Sequence, residues 1–191
     1  MNAIDAAGWL IGVGRVPSPN FNQRPAGAAV SLLIVHNISL PPGEFGGPYI
    51  RQLFTNCLDP RAHPYFMGIV DNRVSAHLVI DRTGAVTQFV NFDERAWHAG
   101  ESCFDGRSNC NDFAIGIELE GTDTTAYTAL QYDVLAAVAR LLMARYPLIT
   151  AGRIVGHSDV APKRKTDPGP AFDWHRFHTL LATPPLIATR E

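Results

Sequence analysis

Apolar and polar positions follow two rhythms along the chain, and together they predict one sheet with helices packed on it. Val30-Ser31-Leu32-Leu33-Ile34-Val35 is almost continuously apolar, as a strand covered on both faces must be. It runs into His36-Asn37 before Pro41-Pro42-Gly43 break it. Phe113 to Glu120 alternates with period two. Phe113, Ile115, Ile117 and Leu119 face one way, and Ala114, Gly116, Glu118 and Glu120 the other. The small residues at 114 and 116 predict open space beside Glu118, and Glu120 is its natural control, expected to tolerate replacement. Ser75 to Asp81 and Ala85 to Val90 flank Arg82-Thr83-Gly84, a hairpin signal with glycine where positive φ is needed. Trp9-Leu10-Ile11-Gly12-Val13 and Arg153-Ile154-Val155-Gly156 read as shorter strands, the second delivering His157.

The helical rhythm is clearest over residues 129–145, with Leu130, Val134, Val138, Leu141 and Leu142 on one stripe. Thr128 with Gln131 three positions on forms a capping box, and Pro147 ends the helix. A short helix is predicted around 49–55, burying Ile50, Leu53 and Phe54. A last one starts after Asp173, burying Trp174, Phe177, Leu180 and Leu181. Strands and helices alternating in this way define an α+β (mixed α/β) class: a single domain over 1–191, core about 9–181, with a central mixed β-sheet flanked by helices.

Composition narrows the picture. The 191 residues, 46% of them hydrophobic, suffice for one domain with a sizeable core. A net charge of -2 argues against whole-surface attraction to nucleic acid or anionic lipid. The first residues, Met1-Asn2-Ala3-Ile4-Asp5, lack the basic start of a secretory leader, and no apolar run reaches membrane-spanning length. These features predict a cytoplasmic protein with no membrane and no nucleic-acid partner. Three cysteines, Cys57, Cys103 and Cys110, leave one unpaired in any disulfide scheme. Cys103 and Cys110 are the pair to consider, but the missing leader favours thiols.

Candidate chemistry concentrates between Gly156 and Pro170, which gathers His157, Asp159, Lys163, Arg164, Lys165 and Asp167 in a stretch whose prolines oppose a regular helix or central strand. His36 and His157 both stand where a hydrophobic strand gives out, the position at which open α/β sheets place functional groups. Two such histidines point to a metal, and a catalytic zinc takes three protein ligands with one place open. Asp159 and Asp167 are both candidates for the third, and spacing does not choose between them. The zinc-peptidase His-Glu-x-x-His helix, the Gly-x-Ser-x-Gly elbow, the P-loop and the dinucleotide-binding glycine pattern are all missing.

Five stretches carry a resemblance. They are Val35-His36-Asn37 through Gly47, Val74-Ser75-Ala76-His77, Ala96-Trp97-His98-Ala99-Gly100, Cys110-Asn111-Asp112 through Asp123, and Gly156-His157 through Pro170. Together they resemble the AmpD-type amidases, cytoplasmic 1,6-anhydro-N-acetylmuramoyl-L-alanine amidases of cell-wall recycling, within the broader zinc amidase and peptidoglycan-recognition fold. The likeness runs from about Trp9 to Phe177. It implies one zinc ion held by His36, His157 and Asp167, Glu118 as general base, and Lys165 as electrostatic stabiliser of the charge on the scissile carbonyl oxygen. It further implies that Asn37, Arg73, Trp97 and His98 bind substrate. The basic side chain that members often place before the Cys-Asn-Asp run is Asn109 here, with Arg107 nearby to substitute. The implied substrate is an anhydromuropeptide cut at the lactyl–L-alanine amide, with no obligate protein partner. Two alternatives share the fold: a non-catalytic peptidoglycan-recognition module, and an amidase acting on intact cell wall outside the cytoplasm.

Overall fold

The computed structural model describes residues 3–183. Ten strands are formed: β1 (Gly14–Arg15), β2 (Phe21–Asn22), β3 (Leu32–Ile38), β4 (Leu78–Ile80), β5 (Val86–Gln88), β6 (Arg95–Ala96), β7 (Cys103–Phe104), β8 (Arg107–Ser108), β9 (Ala114–Glu120) and β10 (Ile154–Gly156). The helices are α1 (Tyr49–Phe54), α2 (Ala129–Arg145), the single turn α3 (His157–Val160) and α4 (Trp174–Ala182). Six strands make the central sheet in the order β1-β5-β4-β9-β3-β10. From β4 to β10 neighbours run parallel, β5 is antiparallel to β4, and β1 is parallel to β5, so the sheet is mixed.

The two faces of the sheet do different work. Leu33, Val35, Ile115, Ile117, Leu119, Leu78 and Ile80 point to the side covered by α2 and α4 and share one core with Leu135, Val138, Leu142 and Phe177. On the opposite face α1 packs Ile50, Leu53 and Phe54 over Val79 and Phe89, while Leu32, Ile34 and Ala114 meet Phe113 and Val160. Between those two smaller clusters the strand ends of β3 and β9 carry polar side chains. Register aligns them: His36 pairs with Glu118, and Gly156 with Val35, so His157 emerges beside His36. Paired residues of a ladder project to the same face.

Several sequence expectations are refined. The helix α2 has the predicted bounds, and Thr128 and Gln131 complete the capping box. Its buried stripe, however, is Gln131, Tyr132, Leu135, Ala136, Val138, Ala139 and Leu142, while Leu130 is exposed. Gln131 is inside because its amide donates to Ile80 O and Glu120 O while its carbonyl accepts from Thr128 N. The N-terminal strand lies at 14–15 rather than 9–13. Leu10 makes an isolated bridge to Ile4 and donates its backbone N–H to Gln88 Oε1 at 2.7 Å. The hydrophobic strand β3 continues through His36 and Asn37 to Ile38.

Two expectations on β9 are overturned. The space left by Gly116 is filled: a Cβ there would overlap the His98 ring. Glu120 is not a solvated control but is 4% exposed, accepting from Gly46 N at 2.5 Å and from Arg82 N at 3.2 Å. It ties the loop after β3 and the β4–β5 turn to the end of β9. All three cysteines are free. No helix of the described residues is long and apolar enough to cross a membrane.

Candidate active site

Strand β3 delivers His36, the strand β10 ends one residue before His157, and a fold-back of the following loop returns Asp167 to both. That return has identifiable causes. Asp159 turns the chain by accepting from Gly156 N at 2.7 Å, and Lys165 N donates to Ala161 O at 3.0 Å. Ser158 N then closes the loop on Asp167 O at 3.0 Å. Asp159 is thereby spent on local structure, and Asp167 is the carboxylate that faces the histidines.

His36 Nδ1, His157 Nδ1 and Asp167 Oδ2 stand at the corners of a triangle with every side 3.0 Å. His157 Nε2 lies 3.0 Å from Ala99 O, an acceptor, so Nε2 carries a hydrogen and Nδ1 is the nitrogen turned on Asp167. Burial lowers the pKa of His36 to about 4, against the contact with Asp167 that raises it, so this ring is neutral. Burial would raise the pKa of Asp167, but its contacts with His157 and His36 outweigh that and hold it below the ordinary carboxylate range. With the ring hydrogens on the two Nε2 atoms, two imidazole nitrogens and a carboxylate oxygen point electron pairs at one another. A shared cation would resolve that conflict. Three atoms bound tetrahedrally to one zinc at 2.0–2.1 Å would lie about 3.3 Å apart, so the donor set fits zinc in kind and in spacing.

Glu118, beside His36 in the ladder, is 9% exposed, and its Oε2 is buried with no hydrogen-bond partner. Burial drives its pKa well above the usual value, Asp167 adds to the rise, and Lys165 opposes it. A buried carboxylate with an unsatisfied oxygen and a perturbed pKa in a cleft is a candidate functional group.

These groups open on a cleft of about 570 Å³. Asn37, Trp97, His98, Lys165, Asp123 and Tyr65 line it alongside the metal-type residues. Asn37 is turned into the wall, its amide nitrogen donating to Asp123 Oδ1 at 2.8 Å and to Pro168 O at 3.2 Å. Trp97 donates from Nε1 to Asn22 Oδ1 at 2.9 Å. His98 Nδ1 sits 3.0 Å from His36 Nε2. Arg73 and Arg107 do not line the cleft: Arg73 is exposed and donates to Val70 O at 3.2 Å, and the Arg107 guanidinium lies 4.0 Å over the Phe113 ring. Asp123 carried no sequence prediction of a role, and Gly116 only that of leaving space beside Glu118. Asp123 follows β9 in the chain and holds Asn37, and Gly116 stands at a small position of that strand; only the three-dimensional pairing gives either of them a purpose.

A mixed sheet presenting two histidines from its strand ends, an aspartate returned by the loop after β10 and a buried glutamate on the adjacent strand make a hydrolase-type site whose donors could hold a metal ion. Residues 26–170 match the family described as N-acetylmuramoyl-L-alanine amidase, and the chain belongs to that family. It is 62% identical over 174 residues to the 1,6-anhydro-N-acetylmuramyl-L-alanine amidase AmpD of Citrobacter freundii, covering 91% of this chain and 92% of that one. A crystal structure of a selenomethionine AmpD derivative superposes with a TM-score of 0.90 at 61% identity, covering 93% of this chain and 98% of the other. The amidase AmiD of Escherichia coli, solved with anhydro-N-acetylmuramic acid-L-Ala-D-gamma-Glu-L-Lys, superposes with a TM-score of 0.58 at 26% identity, covering 83% of this chain and 60% of AmiD.

Proposed function

We propose that this amidase hydrolyses the amide between the lactyl group of 1,6-anhydro-N-acetylmuramic acid and L-alanine in muropeptides, using one zinc ion held by His36, His157 and Asp167. The observation that carries it is the triangle of three ligand-type atoms 3.0 Å apart, with Glu118, whose Oε2 has no hydrogen-bond partner among the described residues, beside it. Zinc supplies polarisation of the scissile carbonyl and acidification of water. Glu118 is the general base that takes the proton of the attacking water and returns it to the departing amine. Lys165, on the exposed lip of the cleft, holds the negative charge that grows on the carbonyl oxygen. Asn37 acts through Asp123 and Pro168 to set the wall that carries Asp167, and the Trp97 ring offers an apolar surface to the substrate. Arg73 and Arg107, outside the cleft, serve at most to steer the stem carboxylates. The relatives' named substrate and the match along nearly the whole chain support the anhydromuropeptide reading, and a cytoplasmic place in peptidoglycan recycling belongs to the same proposal.

The test is release of the stem peptide from an anhydromuropeptide, followed by mass spectrometry. Chelation is expected to abolish it and added zinc to restore it. Turnover that survives complete metal removal, or saturable binding with no product, would overturn the proposal.

A further inference from the structure

His98 shows an arrangement that substrate binding does not require. Its Nδ1 is 3.0 Å from His36 Nε2, and its Nε2 is buried without a hydrogen-bond partner among the described residues. Neither ring nitrogen is therefore presented to the cleft. The ring is fixed from three sides. It sits in the notch left by Gly116, meets His36 edge-on with centroids 5.0 Å apart, and meets His77 edge-on at 5.7 Å. Its backbone is fixed as well, because Asn111 Oδ1 accepts from His98 N at 3.2 Å and from Ala99 N at 2.8 Å.

The residue next to His98 performs the matching task for the other imidazole, since Ala99 O receives the Nε2 hydrogen of His157. Building on the zinc reading above, we propose that His98 is a positioning residue for the metal, and that the His98-Ala99 step, pinned by Asn111, sets the tautomer of both histidine ligands. For His36 to offer Nδ1 as a lone pair, its hydrogen must sit on Nε2, and the acceptor that fixes it there is His98 Nδ1. His98 then carries its own hydrogen on Nε2, where it goes unpartnered. A buried donor left unmet costs stability, so the ring is retained for what its other nitrogen does. Outer partners of this kind hold ring orientation and raise ligand basicity, and their loss commonly weakens metal binding about 10–100-fold.

The experiment uses the full chain as wild type, His98→Ala, His98→Asn and Gly116→Ala, each checked for folding by circular dichroism. Zinc affinity is measured by competition with a chromogenic chelator, and the His36 tautomer by two-bond ¹H–¹⁵N spectra of the metal-free protein. His98→Ala is expected to bind zinc about 10–100-fold more weakly and to give His36 as mixed tautomers. His98→Asn, whose Oδ1 can accept the same hydrogen, is expected to restore both. Gly116→Ala, which drives the ring from its notch, is expected to behave like His98→Ala. Unchanged affinity with a single His36 tautomer in His98→Ala would overturn the proposal, as would His98→Asn failing as badly as alanine. Wild type that takes up no zinc would end the zinc reading instead, and the metal-free spectra would still decide whether His98 sets the His36 tautomer.

Discussion

Two glutamates two positions apart on one strand face look interchangeable in the sequence, yet their surroundings give them opposite consequences. Glu118 is buried with an unpartnered oxygen and a carboxyl pushed well above its usual pKa, chiefly by desolvation. Glu120 is buried with both oxygens occupied by backbone N–H groups of Gly46 and Arg82. Replacing Glu118 by Gln removes a charge that the fold does not want. The variant is expected to melt no lower than wild type, to keep its zinc, and to lose about 10²–10⁴-fold in kcat. Replacing Glu120 by Ala strands two backbone donors and is expected to lower unfolding free energy by about 1–3 kcal/mol. Differential scanning fluorimetry beside stem-release kinetics checks the pair, and a Glu118→Gln enzyme that melts lower yet turns over normally would refute the assignment. Lys165→Ala is expected to lower kcat about 10²–10³-fold with zinc content unchanged. The two histidines were legible because strand-end positions are a local signal, whereas alternation alone does not separate Glu118 from Glu120 nor spacing Asp167 from Asp159, and only the family resemblance chose between them. The role of Glu120 was not legible, because both donors it serves come from other segments.

At the scale of elements, the helix α2 was legible in its bounds because capping is local. Thr128 accepts from Gln131 N, and Gln131 reaches back to Thr128 N. Its stripe was legible in part: Val138 and Leu142 are buried and Val134 and Leu141 pack against the core, but Leu130 is exposed, and apolar counting ignores Gln131, whose hydrogen bonds carry a polar side chain into the core. The loop from Gly156 to Pro170 was legible as chemistry but not as shape. What holds its far end is contact with a distant segment: Ala171 N donates to Asp123 O, Tyr127 donates its hydroxyl to Pro168 O, and Gly169 lies against the Asp123 backbone. Gly169 has φ +78, and a Cβ there would overlap Asp123. Gly27 has φ +77 with nothing within 4 Å of a Cβ. The two alanine variants share the left-handed strain of about 1–3 kcal/mol, and only Gly169→Ala adds the collision. Gly169→Ala is therefore expected to unfold at lower denaturant than Gly27→Ala and, alone of the two, to weaken zinc, since it displaces the segment two residues beyond Asp167. Equal midpoints and equal affinities would show that the Asp123 contact does not hold the loop.

For the molecule as a whole, the strand order was the least legible feature. Parallel pairing of β4, β9, β3 and β10 is made by contacts between segments far apart in the chain, and β1 is a two-residue edge strand with no pattern of its own. Yet that order is what creates the site, because it puts Glu118 beside His36 and delivers His157 from the next strand. His36 is 121 positions from His157 and 131 from Asp167. An ion held by all three joins segments that the unfolded chain separates, so it binds the folded state and stabilises it by RT ln(1 + [Zn]/Kd). Above Kd, each tenfold rise in free zinc adds about 1.4 kcal/mol. In a chain of this length that corresponds to about 3–6 °C in melting temperature. Melting followed at buffered free-zinc levels is expected to climb steadily in wild type and in Glu118→Gln, which keeps all three ligands, and to lie flat in Asp167→Ala. A wild-type melting temperature indifferent to free zinc over several decades would mean that the three lone pairs meet for some other reason than to hold that ion.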